Sequence, residues 1–292
     1  MSAALPWHQP TIERLLALAH ADQLPNALAL TCPSGWGHDN LLAQAALQLL
    51  GVSGDKPVDE FAHPDFRWIA PEGAVIKVDQ VRRLNQFAVQ TVQAAPRKIA
   101  AVLDAHLLNA NAANALLKTL EEPPADTHLL LATPFWGKLL PTIRSRCQRF
   151  QVAPDTDAAR AWLSGQGVQL SDVEFAEFGY APLAAAAVQQ QEHVDLTGWL
   201  AGLSATGLEN AVAPILSGDV VTWLSRWYRR ILLHLQGVAI PECGAGQRAL
   251  HGFAAELLAA RRQIESTNSA NSRLLLEQLI VRWQQMQPKS AA

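Results

Sequence analysis

Residues Thr31-Cys32-Pro33-Ser34-Gly35-Trp36-Gly37-His38-Asp39 stand between an apolar run at 27–30 and a helical stretch at 41–50, where a phosphate-binding loop belongs. A loop of the form G-x-x-x-x-G-K-[ST] cradles phosphates with backbone N–H groups, sets a Lys ammonium on the β/γ oxygens and a hydroxyl on Mg²⁺. Here Gly35 and Gly37 keep the turn, but Cys32 replaces the first Gly, His38 the Lys and Asp39 the hydroxyl residue. An imidazole is mostly neutral near pH 7, and a carboxylate at position 39 opposes phosphate oxygens. A second pattern, Ile99-Ala-Ala-Val-Leu103 followed by Asp104-Ala105, reads as a strand delivering acids toward a phosphate-bound metal. In an ATPase of this plan the first acid holds the metal and the next activates the attacking water. Asp104 suits the first role; Ala105 cannot serve the second. Two independent losses argue against hydrolysis within this chain, and neither ATP nor a metal is expected as its cofactor.

The elements that must position these residues follow from hydrophobic periodicity. Strand-like runs at 27–30, 66–69, 99–103 and 129–133 alternate with helical patterns near 79–90 and 110–120, the latter closed by Pro123-Pro124. Such alternation predicts a parallel sheet covered by helices. Beyond Pro154 strand signals vanish and short Ala/Leu-rich helical segments run to about Leu200. Longer amphipathic helices then follow at 219–236, 247–264 and 272–286. Asp219 is placed to cap the first of them, and Trp223, Trp227 and Trp283 lie on apolar stripes that read as core or subunit contacts. Three domains are expected: an α/β domain at 1–153, a small helical domain at 154–204 and a helical bundle at 205–292.

Bulk composition narrows the class. The 292 residues are 49% hydrophobic and 17% charged, with a net charge of −3, a globular balance with no general attraction to nucleic acid. Three widely spaced cysteines, Cys32, Cys147 and Cys243, argue against a disulfide framework and for a reducing cytoplasm. The first residues lack a signal-peptide pattern, and no stretch reaches the ~20 apolar residues of a membrane span. Between Lys77 and Arg149 basic residues outnumber acids, among them Arg82, Arg83, Arg97, Lys98, Lys118, Lys138, Arg144 and Arg146; by composition alone this is a solvated face.

Three longer elements carry a family resemblance: Asn111-Ala-Ala-Asn-Ala-Leu-Leu-Lys-Thr-Leu-Glu-Glu-Pro-Pro124, Leu129-Leu-Leu-Ala-Thr133 and Leu140-Pro-Thr-Ile-Arg-Ser-Arg-Cys147. Together they resemble the clamp-loader branch of AAA+ proteins over residues 24–152. The final stretch Asn271-Ser-Arg-Leu-Leu-Leu-Glu-Gln-Leu-Ile-Val-Arg-Trp283 is similar to that family's last helix. The resemblance implies an AAA+ domain with a degenerate phosphate loop, then a helical lid and a C-terminal helical collar. It also implies that Arg146 of the Ser-Arg-Cys motif is an arginine finger, reaching ATP held by a neighbouring subunit. A guanidinium is always charged, planar and multi-donor, which suits phosphoryl oxygens; without the motif, pairing with a local carboxylate is the simpler reading of Arg146.

By the same resemblance Thr133 occupies a sensor position near a γ-phosphate, vestigial if the loop holds none. Ser145 reads as shaping the turn, Cys147 as a small hydrophobe, and Lys118 as a solvated side chain at least as readily as a DNA contact. Glu121 and Glu122, just before the prolines, read as orienting the turn or a neighbour rather than as a catalytic pair. Many relatives carry a four-cysteine zinc module after the loop helix. Residues 51–67 hold no Cys, so zinc is not expected, and His63 in His63-Pro64-Asp65 is read as structural.

The partners so implied are gamma/tau ATPases, the delta subunit that opens the sliding clamp, and primer–template DNA within the assembled ring, with no membrane. The expected function is that of a non-hydrolysing, stator-like clamp-loader subunit. Two other readings differ in class: an active gamma/tau-like ATPase, and a DNA-binding module, against which the near-neutral charge and absence of a groove-reading motif both count.

Overall fold

The structure, a computed structural model, describes residues 4–52, 58–189, 195–203, 206–266 and 271–287. It divides into two compact units, Met1–Trp162 and Leu163–Ala292.

In the first unit five strands form one sheet: β1 (Ala27–Thr31), β2 (Phe66–Ile69), β3 (Lys98–Val102), β4 (Thr127–Thr133) and β5 (Gln148–Gln151). Every pairing is parallel and the spatial order is β2-β3-β4-β1-β5. Central β1, β3 and β4 are buried along their whole length, as expected of strands covered on both faces. The connecting helices are α1 (Gln9–His20), α2 (His38–Leu50), α3 (Val78–Ala88), α4 (Ala110–Glu121) and α5 (Pro141–Arg144). Asn109 caps α4 by accepting from the Ala112 N–H at 2.8 Å, and Pro123-Pro124 ends the helical run. One face of the sheet packs Ala100, Val102, Leu129 and Leu131 against Val81 and Leu84 of α3, Leu116 and Leu120 of α4 and Ile143 of α5.

Two features depart from the sequence expectation. Strand β5 is not announced by hydrophobicity, because as an edge strand it buries only Phe150. Lys98, grouped above with solvated charges, is 1% exposed. Its ammonium donates to the carbonyls of Phe87 (3.1 Å) and Gln90 at the end of α3 and lies 4.8 Å from the Phe87 ring centroid. Beside it, buried Asp65 accepts from the N–H groups of Gln93 (2.8 Å), Ala94 (2.6 Å) and Ala95 (2.8 Å). His63 accepts the Asp65 N–H at 3.1 Å, a turn-forming role.

The second unit is helical among the described residues. After α6 (Thr156–Gly165), inside which the division between units falls, come α7 (Asp172–Glu177), α8 (Pro182–Gln189), α9 (Leu196–Gly202), α10 (Leu208–Leu216), α11 (Val220–Leu235), α12 (Gln247–Ser266) and α13 (Ser272–Met286). Asp219 caps α11, accepting from the N–H groups of Val221 and Thr222. Trp223, Trp227 and Trp283 are core residues, with Trp227 edge-on to Trp199, Phe253 and Trp283 at 5.1–5.4 Å. Leu196 and Leu200 of α9 share this core with α10–α13. A charge cluster lies within the unit: Glu177, fully buried, accepts from Arg226 (3.2 Å) and Arg230, and Arg230 also donates to Glu242 at 3.1 Å.

Replacing Glu177 by Ala strips the carboxylate from two buried guanidinium groups and is expected to destabilise this unit by about 3–5 kcal/mol in urea unfolding followed by tryptophan fluorescence. Asp65 gives a pH-dependent counterpart. Burial alone would raise its pKa, but the three backbone donors outweigh burial and hold it below the ordinary carboxylate value. A depressed folded pKa contributes stability above the unfolded value of about 3.9, and this is lost as pH falls through the folded pKa. Asp65→Asn should therefore cost about 2–3 kcal/mol at pH 7 and progressively less in acid, by urea midpoints across that range.

Candidate functional site

The parallel sheet gathers the chemistry-bearing residues at the carboxyl ends of its strands, the usual ligand edge of an open α/β sheet. The loop after β1 leads into α2, Asp104 and His106 follow β3, and Thr133 ends β4, where the register sets it opposite Thr31.

Gly35 and Gly37 adopt φ of 78° and 79°, a left-handed conformation that suits glycine, and α2 begins immediately afterwards at His38. Both backbone groups of Trp36 are committed within the chain. The Trp36 N–H donates to the Pro33 carbonyl at 3.1 Å, closing a turn inside the loop. The Trp36 carbonyl accepts from Trp7 Nε1–H at 2.9 Å and from His8 Nε2–H at 2.8 Å. A carbonyl can only accept, which fixes the proton of neutral His8 on Nε2; burial lowers the pKa of this fully buried ring. Trp7 stands edge-on between Trp36 and Trp162, with centroids at 5.3 and 5.6 Å. The loop is thus stapled to the segment before α1 by two hydrogen bonds and an aromatic stack.

The substituted positions meet one another. His38 Nε2–H donates to Asp104 Oδ1 at 2.8 Å, joining the residue in the lysine position to the acid in the metal-holding position. Asp104 itself sits at φ 51°, a conformation short polar residues tolerate. On its other side the His106 Nδ1 lies 3.8 Å from the same carboxylate oxygen and 3.0 Å from Thr133 Oγ1. The Thr133 hydroxyl also accepts the Phe135 N–H at 3.0 Å. Burial lowers the His106 pKa, Asp104 opposes the shift, and Lys138 and His38 add to it. Cys32 is buried and its thiol is pushed up to about 12, by burial first and by the Asp39 charge second, so it is inert as a nucleophile at neutral pH. Asp39 is exposed in the first turn of α2, where an anion suits the helix dipole and repels a phosphate.

These residues do not fit magnesium–ATP. The groups that would contact phosphate and metal are hydrogen-bonded to each other, and one of the loop's donors is consumed within the loop. Among the described residues no group of three or more His, Cys, Asp or Glu side chains is arranged to hold a metal ion. No helix among them is long and apolar enough to cross a membrane.

Arg146 is not part of this chain of contacts. It follows α5, just before β5, and its guanidinium donates to the Thr142 carbonyl at 2.9 Å and pairs with Glu121 at 2.6 Å. Ser145 Oγ–H donates to the Thr142 carbonyl at 3.1 Å, closing the turn. Cys147 is half-buried against the core, with its thiol pushed up to about 12 by burial. Lys118 is exposed. Sequence reasoning singled out Cys32, Gly35, Gly37, His38, Asp39, Asp104, Thr133 and Arg146. It missed Trp7, His8 and His106, which no motif marks.

Comparison with known proteins places this architecture. The family described as "DNA polymerase III, delta subunit" matches residues 7–156. The DNA polymerase III subunit delta′ of Pseudomonas aeruginosa is 40% identical over 178 residues, 56% of this chain and 53% of that protein. The Escherichia coli subunit delta′ is 35% identical over 181 residues, 57% and 54% respectively. These matches thus span about half the length of each relative, whereas the Yersinia pestis subunit delta′ aligns at 28% identity over 96% of this chain and 95% of its own. Among solved structures, a DNA polymerase III gamma subunit-related protein from Thermotoga maritima superposes with a TM-score of 0.53 at 18% identity, covering 93% of this chain and 99% of its own, a likeness of fold.

Because the Thr133 hydroxyl is already engaged by Phe135 and His106, Thr133→Val should lower the stability of the isolated chain by about 1–2 kcal/mol, read from its thermal or urea transition.

Proposed function

Because the chain belongs to the family of DNA polymerase III delta′ subunits, we propose that it serves as a non-hydrolysing member of the sliding-clamp loader, lending Arg146 to ATP held by a neighbouring subunit. The observation that carries this reading is the His38–Asp104 contact at 2.8 Å. It sets the chain's own loop against nucleotide while an always-charged fork remains on a separate, partly exposed surface. The side chain of Arg146 is 34% exposed, so a ligand supplied by another subunit can reach it.

The physical logic is electrostatic. A guanidinium offered to transferring phosphoryl oxygens stabilises charge that develops in the transition state, worth roughly 10³–10⁵ in rate in the best-studied GTPase cases. An arginine serves because its charge does not depend on pH and its planar donors match phosphate geometry. In this reading residues 1–153 form the AAA+ domain, 154–204 the lid and 205–292 the collar that joins the ring. Gamma/tau ATPases and the delta subunit are the neighbours, the sliding clamp is engaged through them, and primer–template DNA lies within the assembled complex in the cytoplasm. Thr133 is a relic of a sensor, its hydroxyl turned to structural use.

Arg146→Ala in the reconstituted clamp-loader complex should leave assembly intact, by co-elution of all subunits, and lower steady-state ATP hydrolysis. Turnover equal to wild type would remove the finger assignment.

A further inference from the structure

The Arg146 guanidinium, although partly exposed, is held against its own chain. It folds back so that Nη1–H donates to the Thr142 carbonyl at 2.9 Å and lies 3.4 Å from Ser145 Oγ, while Nη2 contacts Glu121 Oε1 at 2.6 Å. Glu121 is the last residue of α4, and Pro123-Pro124 follow. An anion at a helix C-terminus works against the peptide dipoles, so this carboxylate does not serve its own helix. What fixes its distance to Arg146 is the packing of α4 on α5, where Leu116, Leu120 and Ile143 share one buried cluster. Two segments 25 residues apart thereby present a carboxylate and a guanidinium to each other on a rigid base.

We propose that Glu121 is a positioning residue for Arg146: its carboxylate holds the guanidinium folded and neutralised until a neighbour's polyphosphate takes its place. This inference rests on the reading of Arg146 as a finger. The exchange follows from charge. Were Glu121 to stay in contact while Arg146 touched a γ-phosphate, a carboxylate would stand a few ångströms from phosphoryl oxygens, and like charges at that separation repel. A single carboxylate with half its surface in water binds an arginine weakly. A metal-bound triphosphate presented by a packed neighbour brings more charge and more acceptors, so it wins the competition. A lone monoanion does not, which makes the pair a filter for the assembled nucleotide site.

The test is ATP hydrolysis by the reconstituted complex at sub-saturating ATP without DNA or clamp, comparing wild type, Glu121→Gln, Arg146→Ala and the double variant. Glu121→Gln removes the competing charge and should raise turnover by up to about fivefold, with the effect in the apparent KM for ATP rather than in kcat. The double variant should match Arg146→Ala alone, because Glu121 acts only through Arg146. A Glu121→Gln complex no faster than wild type, or one whose gain persists without Arg146, overturns the proposal. Arg146→Ala without effect overturns the finger reading itself and the proposal with it, which separates the two failures. Glu121→Lys, a charge reversal at an exposed position, should exceed Glu121→Gln in the same direction. Co-elution of subunits verifies that each variant assembles.

Discussion

A single contact organises the loop site: the His38 ring nitrogen donating to the Asp104 carboxylate at 2.8 Å. In a working phosphate loop these two positions address different parts of the ligand, the cation a phosphate and the acid a metal. Direct contact between them removes the gap that the ligand would fill and engages both side chains within the chain. Magnesium–ATP would have to break this pair, face the Asp39 carboxylate and recover a loop donor now held by the Pro33 carbonyl. Each of these costs opposes binding. They arise from different residues, so no single reversion removes them all.

The surrounding architecture braces the loop. Two donors from the segment before α1 hold the Trp36 carbonyl, and Trp7 wedges between Trp36 and Trp162. Strand register places Thr133 beside Thr31, and the Thr133 hydroxyl anchors both the following turn and the His106 ring. In the second unit, Glu177 ties α7 to Arg226 and Arg230 of α11. Removing one partner of such a buried pair costs far more than the intact pair contributes, because it leaves an uncompensated charge in the interior.

Much of this was legible in the residues. The central strands announce themselves as continuous apolar runs, Pro123-Pro124 marks the end of α4, and residues 32, 38, 39 and 105 differ from the phosphate-loop pattern by type at fixed spacing. Differences of that kind could be read directly. The pairings could not, because they join distant segments: His38 to Asp104 across 66 residues, Trp7 to Trp36 across 29, Glu177 to Arg226 across 49. Strand β5 escaped because an edge strand needs only one buried side chain, and Lys98 escaped because a lysine at a strand start reads as solvated until its carbonyl partners are seen. Arg146 was singled out by its motif, whereas its partner Glu121 emerged only from the packing of α4 on α5.

The central claim, that the home loop is closed while the useful cation stands elsewhere, is tested most directly by calorimetric titration of magnesium–ATP into the isolated chain. The account predicts no saturable heat at concentrations up to about 1 mM, equivalent to a binding free energy weaker than about −4 kcal/mol. A magnesium-dependent isotherm with a Kd in the micromolar range would contradict it, since the His38–Asp104 pair would then have yielded to the nucleotide.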